Sequence, residues 1–524
     1  MGNIYRNPGN AAEKTFDLII VGGGIYGVML SFEASRRGLK SLLLEKEDFG
    51  GGTSFNHLRI LHGGLRYLQS LDLNRFRESV GERSWFLQTF PDLVEVIPCL
   101  MPLYGNGARR PGIFRGALLV NDFLSRSRNL AVRSDRQIPN GRVINAKKTR
   151  ELFPGVDMSG LEGGAVWFDV CMPDSERLFM EILRLSCRLG GLALNYMEAA
   201  ELLKTSEGIG GVGAVDRESG ETFEFRAPIV VNAAGPFCRQ VASGFDRDVP
   251  ALFRSSLAWN VLLKNRALSD CALAVAPKKP GGRTYFLVPW KGMILAGTGH
   301  APWADGSRPP APTIEQLQEF LDDLNLAIPT LAASQADILQ IFPGLLPATE
   351  EGNTTLSTQE VIFDHGREGG PNGLYSVSGV KFTTARLVAD KVLRKIFPGV
   401  CLEKGGAESA PEPSDIQSRG SIFAHDWRPD PRFPEWKHSL EKIIQEESVN
   451  HLDDLVFRRT TLWNNLARTM EISSQLCSLF NWDNPRRKAE LHRLEEAILM
   501  RTGGKGELRE PGPSCNDQRL VEQP

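Results

Sequence analysis

A chain of 524 residues, 41% apolar and 24% charged, is long enough for two or three domains and has the composition of a soluble globular protein. Its net charge of −2 excludes a global field that would collect nucleic acid. The eight cysteines form no CxxC pair, which argues against zinc and a disulfide framework and suits a reducing compartment, so no metal site is expected.

The opening stretch MGNIYRNPGNAAEKTF has no apolar core of a secretory signal, and Arg6 stands where N-myristoylation needs Ser or Thr. No apolar run approaches the roughly 20 residues that span a bilayer. The expected location is the cytoplasm or a membrane surface.

FDLIIVGGGIYGVMLSFEASRRGLKSLLLEKED then reads as strand, glycine turn, helix, strand. Phe16 to Val21 form a continuous apolar run, as a strand buried on both faces requires. The helix ends at Arg36-Arg37-Gly38, and Glu45 closes the second strand. A helical pattern from Leu68 to Phe90 stops at Pro91, and residues 98–154 are rich in Pro, Gly and Arg. Asp174 is the expected N-cap of SERLFMEILRLSCRLGG. Strands follow in LALNYMEAAELL, GVGAVDRESG and TFEFRAPIVVNAAGP, with a polar hairpin at Glu218 to Gly220. TIEQLQEFLDDLNLA predicts a helix, and GLYSVSGVKFTTARLVADKVLRKIF another strand, turn and helix. Gly405 to Gly420 has a linker composition. A helical region runs on to about Arg501, with Asn450 as expected N-cap and Asp453 three positions on, and the polar end of the chain is expected to be disordered.

GGGIYG places Gly22, Gly24 and Gly27 between a predicted strand and helix. Gly22 permits the tight turn, Gly24 lets the backbone approach a pyrophosphate, and Gly27 lets helix and strand pack closely. Glu45 stands where a carboxylate accepts a ribose hydroxyl, and its charge disfavours a 2′-phosphate. The ligand is therefore FAD or NAD rather than NADP, and periodicity leaves those two open.

DLIIVGGGIYG, HGGLRYL, IVVNAAGP, YFLVPWKGMILAGTG, GLYSVSGVKFTTAR and HLDDLVFRRTTL occur in an order that resembles FAD-dependent glycerol-3-phosphate dehydrogenases, within the wider D-amino-acid-oxidase-like flavoproteins. The resemblance covers about residues 16–500 and implies FAD as cofactor. It implies an α/β, discontinuous, Rossmann-like FAD-binding domain, an inserted α+β substrate domain and a C-terminal α-helical domain. The expected division is FAD-binding segments at 16–95, 165–245 and 361–400, substrate or cap segments at 96–164 and 246–360, a linker at 401–420, helices at 421–502 and a tail at 503–524.

By position, Gly22, Gly24, Gly27 and Glu45 resemble the first FAD contacts. Thr53 and Ser54, with the turn at Gly63-Gly64, would lie along pyrophosphate and isoalloxazine. Ala233, Ala234 and Gly235 end a strand approaching the dinucleotide, and Gly379, Lys381 and Thr383 resemble the segment beside the reactive ring. The implied reaction is oxidation of glycerol 3-phosphate to dihydroxyacetone phosphate by hydride transfer to flavin N5, with electrons passed to quinone or another acceptor. Such chemistry needs a base for the hydroxyl proton and cations for the phosphate. Arg66 and Lys381 match substrate positions, His62 and Tyr67 flank the glycine turn, and His300 is a further candidate base.

Three matches fail. Arginines of the family correspond to Leu346 and Gln359, and an early histidine of its substrate domain to Leu257. Losing two arginines removes several kcal/mol of phosphate binding, at about 1.5–3 kcal/mol per charged hydrogen bond. Arg254 is a local cation that could compensate. A sister flavin enzyme acting on a different hydroxy or amino substrate is therefore the alternative, and a non-catalytic flavoprotein a third reading.

Residues 109–136 carry seven arginines and two aspartates, with Ile113, Phe114, Ala117, Leu118 and Leu124 at helical spacing. This is a basic amphipathic stretch suited to an anionic lipid interface, or else a helix with its apolar side in the core. With the family resemblance it predicts peripheral contact on the cytoplasmic face of a membrane.

Overall fold

The computed structural model describes residues 2–503 apart from 69, 106, 207, 304–308 and 401–435. The linker at 401–420, the start of the C-terminal helical segment and the tail beyond Gly503 lie outside the described residues.

A six-stranded sheet runs Val361–Asp364, Leu374–Ser378, Val230–Asn232, Leu18–Val21, Ser41–Leu44, Leu192–Leu194. All neighbours are parallel except the first pair. Leu18–Val21 sits in the interior with every residue buried, which is why its sequence is apolar without alternation. Helices Ile25–Ser35, Ser175–Arg188 and Ala385–Ile396 pack together. Buried Glu33 links two of them by accepting from Arg37 at 2.5 Å and Arg386 at 3.4 Å.

A second sheet of nine strands combines Ile60–Leu61, Glu95–Leu103, Arg142–Asn145 and Gly163–Cys171 with strands between Ser255 and Pro347. Residues 165–171, assigned by sequence to the FAD-binding part, thus pair in the other sheet, as do Ile60 and Leu61. Inter-strand pairing between distant segments decides this, and local pattern carries no trace of it. The strands Met197–Lys204, Ile209–Asp216 and Thr222–Arg226 form a small antiparallel sheet with the expected hairpin. Helix Ile314–Ala327 is closed by a Thr313–Gln316 capping box.

The C-terminal helices are pinned to this frame by buried charge. Glu447 accepts from Arg177 and Arg184 at 2.9 Å each, and Arg459 grips Asp48 at 2.7 and 2.8 Å. The cap expected at Asn450 falls one residue later. Asp454 accepts the N–H groups of both Asn450 and His451 at 2.9 Å, so the short helix Leu452–Asp454 begins after His451. Among the described residues no helix is long and apolar enough to cross a membrane.

His451 lies between Glu490 and Glu218, at 2.8 and 2.9 Å. Burial disfavours the charged ring, but the two carboxylates outweigh it and raise the pKa to about 9. A raised folded-state pKa stabilises fully below the unfolded value of about 6.5, and that stability is lost as pH rises through about 9. Buried Asp454, raised to about 8 by burial and then by Asp48 and Asp453, acts in the same direction. The melting midpoint is expected to fall between pH 7 and pH 9, and a His451→Gln variant to show a shallower fall. Equal slopes in the two proteins would contradict this account.

Candidate active site

A cleft of about 2040 Å³ runs between the two large sheets and under the C-terminal helices. Sixteen of the sequence-predicted residues border it: Gly22, Gly24, Glu45, Thr53, Ser54, His62, Gly64, Arg66, Tyr67, Ala233, Ala234, Gly235, His300, Gly379, Lys381 and Thr383. Gly27 and Gly63 do not.

At one end the glycine turn is shaped by backbone proximity. Gly22 has φ +107°, and a Cβ there would stand 2.7 Å from Ala234 Cα. A Cβ on Gly27 would strike the Gly22 carbonyl, so Gly27 serves helix–strand packing as its sequence position implied. Glu45 accepts from Gly23 N–H at 2.5 Å and Glu47 N–H at 2.9 Å, and burial raises its pKa. Gly24 is the N-cap of helix Ile25–Ser35 and supplies no side-chain cap; Ser54 Oγ takes the Ile25 N–H at 2.9 Å. Thr53 Oγ1 donates to Leu345 O at 3.1 Å and ties this loop to the other sheet. Glycines that keep the cleft floor clear, a helix N-terminus aimed at it and a carboxylate at the next strand end fit a dinucleotide diphosphate and ribose.

The Gly63-Gly64 turn has a cause that the sequence concealed. A Cβ on Gly63 would collide with the Arg83 guanidinium, so this glycine makes room for an arginine. Gly64 turns the chain at φ +83°. Arg83 is there to reach Asp169, at 2.7 Å. Buried Asp169 also accepts from Gly63 N–H at 2.7 Å and Trp167 Nε1 at 3.2 Å, and it lies 3.2 Å from His62 Nδ1. Burial would raise the Asp169 pKa, but His62 and Arg83 hold it below the usual carboxylate range. Asp169 therefore orients His62 by Nδ1 and leaves Nε2 as the ring nitrogen open to the cleft.

At the far end the charges gather. Tyr67 is buried, with Lys381 Nζ 4.0 Å and the Arg75 guanidinium 4.4 Å from its ring centre. Tyr26 hydroxyl donates to Lys381 O at 2.7 Å and accepts from Lys381 N–H at 2.9 Å. A Cβ on Gly379 would collide with the Tyr26 ring, which explains that glycine. Burial, and then the Arg66 charge, bring Lys381 down to about 8. His300 is pushed down to about 4 by burial, then by Arg283 and Arg66, so it is neutral at pH 7.

Arg283, absent from the sequence-based selection, thus completes a group with Arg66, Lys381 and His300 on the cleft wall. It donates to Thr354 Oγ1 at 3.1 Å, and none of the four pairs with a carboxylate among the described residues. Its signal was a lone arginine after Gly281-Gly282 at a strand entrance, two residues before the stretch YFLVPWKGMILAGTG. Arg254 does not fill this role: it donates to Thr349 O at 2.6 Å and does not border the cleft. Of the three substituted positions only Leu346 borders the cleft; Leu257 is 1% exposed in the core and Gln359 is exposed outside it. Asn260, on the strand that carries Leu257, is buried behind the cleft wall and supports it, accepting from cleft-lining Thr298 Oγ1 at 3.1 Å and donating to Asn56 O at 3.0 Å.

Residues 17–393 match the model of the FAD dependent oxidoreductase family. The chain belongs to that family. It is therefore an FAD-dependent oxidoreductase, and it resembles glycerol-3-phosphate dehydrogenases. It is 29% identical over 409 residues to the glycerol-3-phosphate dehydrogenase of Synechocystis sp., covering 75% of this chain and 72% of that one. It is 28% identical over 404 residues to the mitochondrial glycerol-3-phosphate dehydrogenase of Bos taurus, covering 74% of this chain and 54% of that one, so it spans about half the length of the mitochondrial relative. Among solved structures, the glycerol-3-phosphate dehydrogenase of Bacillus halodurans complexed with FAD shares the fold at a TM-score of 0.70 and 20% identity, over 96% of this chain and 98% of that one. The FAD-bound L-alpha-glycerophosphate oxidase of Mycoplasma pneumoniae shares it at 0.53 and 15%, over 73% and 94%.

The two explanations for glycines in this site are separable. Gly63→Ala is expected to lose about 1–3 kcal/mol of unfolding free energy in a denaturant titration, because Arg83 cannot yield without leaving Asp169. Gly52→Ala, with open space around its Cβ, is expected to fall within about 0.5 kcal/mol of wild type. Similar losses at both positions would refute the Arg83 explanation.

Proposed function

We propose that the chain oxidises a phosphorylated secondary alcohol, glycerol 3-phosphate, to the corresponding ketone, dihydroxyacetone phosphate. The observation that carries this reading is the group Arg66, Arg283 and Lys381, three cations on one cleft wall with no carboxylate partner among the described residues. Such a group stabilises a phosphate dianion and is costly without one. Arg283 supplies a cation to the same cleft that Leu346 borders.

When bound, FAD supplies the acceptor for the carbinol hydride. His62 takes the hydroxyl proton at Nε2 while Asp169 stabilises the imidazolium through Nδ1. Tyr67 and the Tyr26-held segment at Lys381 set the position of the cation group. His300, neutral at pH 7, is a positioning residue beside Arg283 and Arg66 in this scheme.

The test is flavin bleaching without oxygen. Glycerol 3-phosphate is expected to reduce the purified flavoprotein, and glycerol at equal concentration is not. Arg283→Met should raise the half-saturating concentration about ten- to hundredfold, the loss of one charge-assisted contact. Bleaching by a different anionic alcohol alone would favour the sister enzyme; bleaching by glycerol would overturn the role of the cations.

Peripheral contact with an anionic membrane, with quinone as electron acceptor, is part of the same proposal. Helix Pro111–Leu124 buries Phe114 and Leu118, the core-facing alternative, while Ile113, Leu119, Val120 and Phe123 are at least half exposed on its other side. Arg110, Arg115 and Arg126 are exposed near that face, whereas Arg128 is buried against Asp122 and offers lipid nothing. Co-sedimentation with phosphatidylglycerol vesicles is expected, and a Leu119→Asp/Phe123→Asp double variant should abolish it. Unchanged binding by that variant would rule out this face.

A further inference from the structure

Of the two consecutive arginines in HLDDLVFRRTTL, Arg459 is satisfied by Asp48 and by Glu447 O at 3.1 Å. Arg458 is not. The π-helical turn Leu455–Arg459 directs it into the cleft, where its Nε and Nη1 are buried without an acceptor. Its Nη2 lies 3.2 Å from the place of a Cβ on Gly51. The adjoining Gly50 donates its N–H to Gly23 O at 2.9 Å, so this loop lies directly on the glycine turn.

Arg501 reaches the same part of the cleft from the end of helix Asn484–Arg501. Its guanidinium stands 4.4 Å over the ring of Phe55 and 4.5 Å over Phe457, with Arg458 5.1 Å over Phe55. Its hydrogen bond to Asn56 Oδ1 is long at 3.5 Å. Burial, then the charges of Arg458 and Arg59, pull Arg501 down to about 9.

The nearby carboxylates are already committed. Asp48 holds Arg459, Asp453 holds Arg493 at 2.7 Å, and Glu176 holds Arg59. Two guanidiniums therefore face one volume with no counter-charge among the described residues, an arrangement that is unfavourable until an anion enters. The ligand chemistry this calls for is a compact anion of two charges with oxygens for fork-shaped donors.

We infer that Arg458 and Arg501 clamp the diphosphate of FAD against the Gly50–Ser54 loop, which makes the C-terminal helical region part of the cofactor site. The inference rests on FAD as the cofactor. A free phosphate or pyrophosphate held beside FAD would present the same chemistry, so the experiment distinguishes the two sources.

Full-length holoprotein is diluted and FAD release followed by flavin fluorescence, for wild type, Arg458→Met, Arg501→Met and the double variant. Methionine keeps the packing on Phe55 and removes the charge. Each single change is expected to raise the FAD dissociation constant about ten- to hundredfold. Melting temperatures without added FAD should be unchanged or higher, while the rise produced by excess FAD shrinks. FAD affinity within twofold of wild type in the double variant overturns the inference. So does calorimetric binding of inorganic pyrophosphate to the wild-type holoprotein that the double variant loses, since the anion is then a separate ligand. A wild-type protein that retains no FAD overturns the cofactor assignment, and this inference with it.

Discussion

Positive charge without counter-charge, held inside a cleft, is the constraint on which the rest of this structure turns. Arg66, Arg283 and Lys381 face one end of the cleft, and Arg458 and Arg501 another part of it. Burial, and then repulsion from Arg66 and from Arg458 respectively, lowers the pKa of Lys381 and of Arg501. Carboxylates are not scarce nearby. Asp48, Asp169, Glu176 and Glu447 are buried, but each is consumed by an arginine that has a structural task. Structural arginines are neutralised from within, and the cleft arginines have no carboxylate partner among the described residues.

Keeping those charges in place requires rigid support from distant segments. Asp169 collects His62, Gly63, Arg83 and Trp167, so one buried carboxylate fixes the candidate base, the turn beside it and the helix behind it. Tyr26, on the first helix after the glycine turn, holds the backbone of Lys381 by two hydrogen bonds. The glycine turn and the Lys381 segment are thereby coupled through one side chain. The C-terminal helices are fastened by Arg459 and Glu447 close to the loop they cover.

What was legible in the sequence follows from range of interaction. The glycine turn, its strand and helix and the acid at Glu45 are set by contacts within about thirty residues, and their spacing reports them. The resemblance to a flavoprotein family placed sixteen of eighteen predicted site residues on the cleft. Arg283, Asp169, Arg458 and Arg501 escaped because each becomes meaningful only against a partner, or a missing partner, far away in the chain. The need of Gly63 to clear Arg83 was hidden for the same reason: nothing local connects the two. In helix Pro111–Leu124 the apolar residues lie on two faces, and periodicity does not say which one the core takes. Leu257 reads as a lost functional histidine, yet it is buried in the core and does not border the cleft, a placement that only the sheet pairing decides.

The account stands or falls on where an anionic substrate puts its charge. The most direct measurement is a crystal structure of the FAD-bound protein with glycerol 3-phosphate. Phosphate oxygens within hydrogen-bond reach of Arg66, Arg283 and Lys381, with the carbinol group turned towards His62 Nε2, are the predicted result. A phosphate placed away from those three cations, or a carbinol group out of reach of His62, would contradict it.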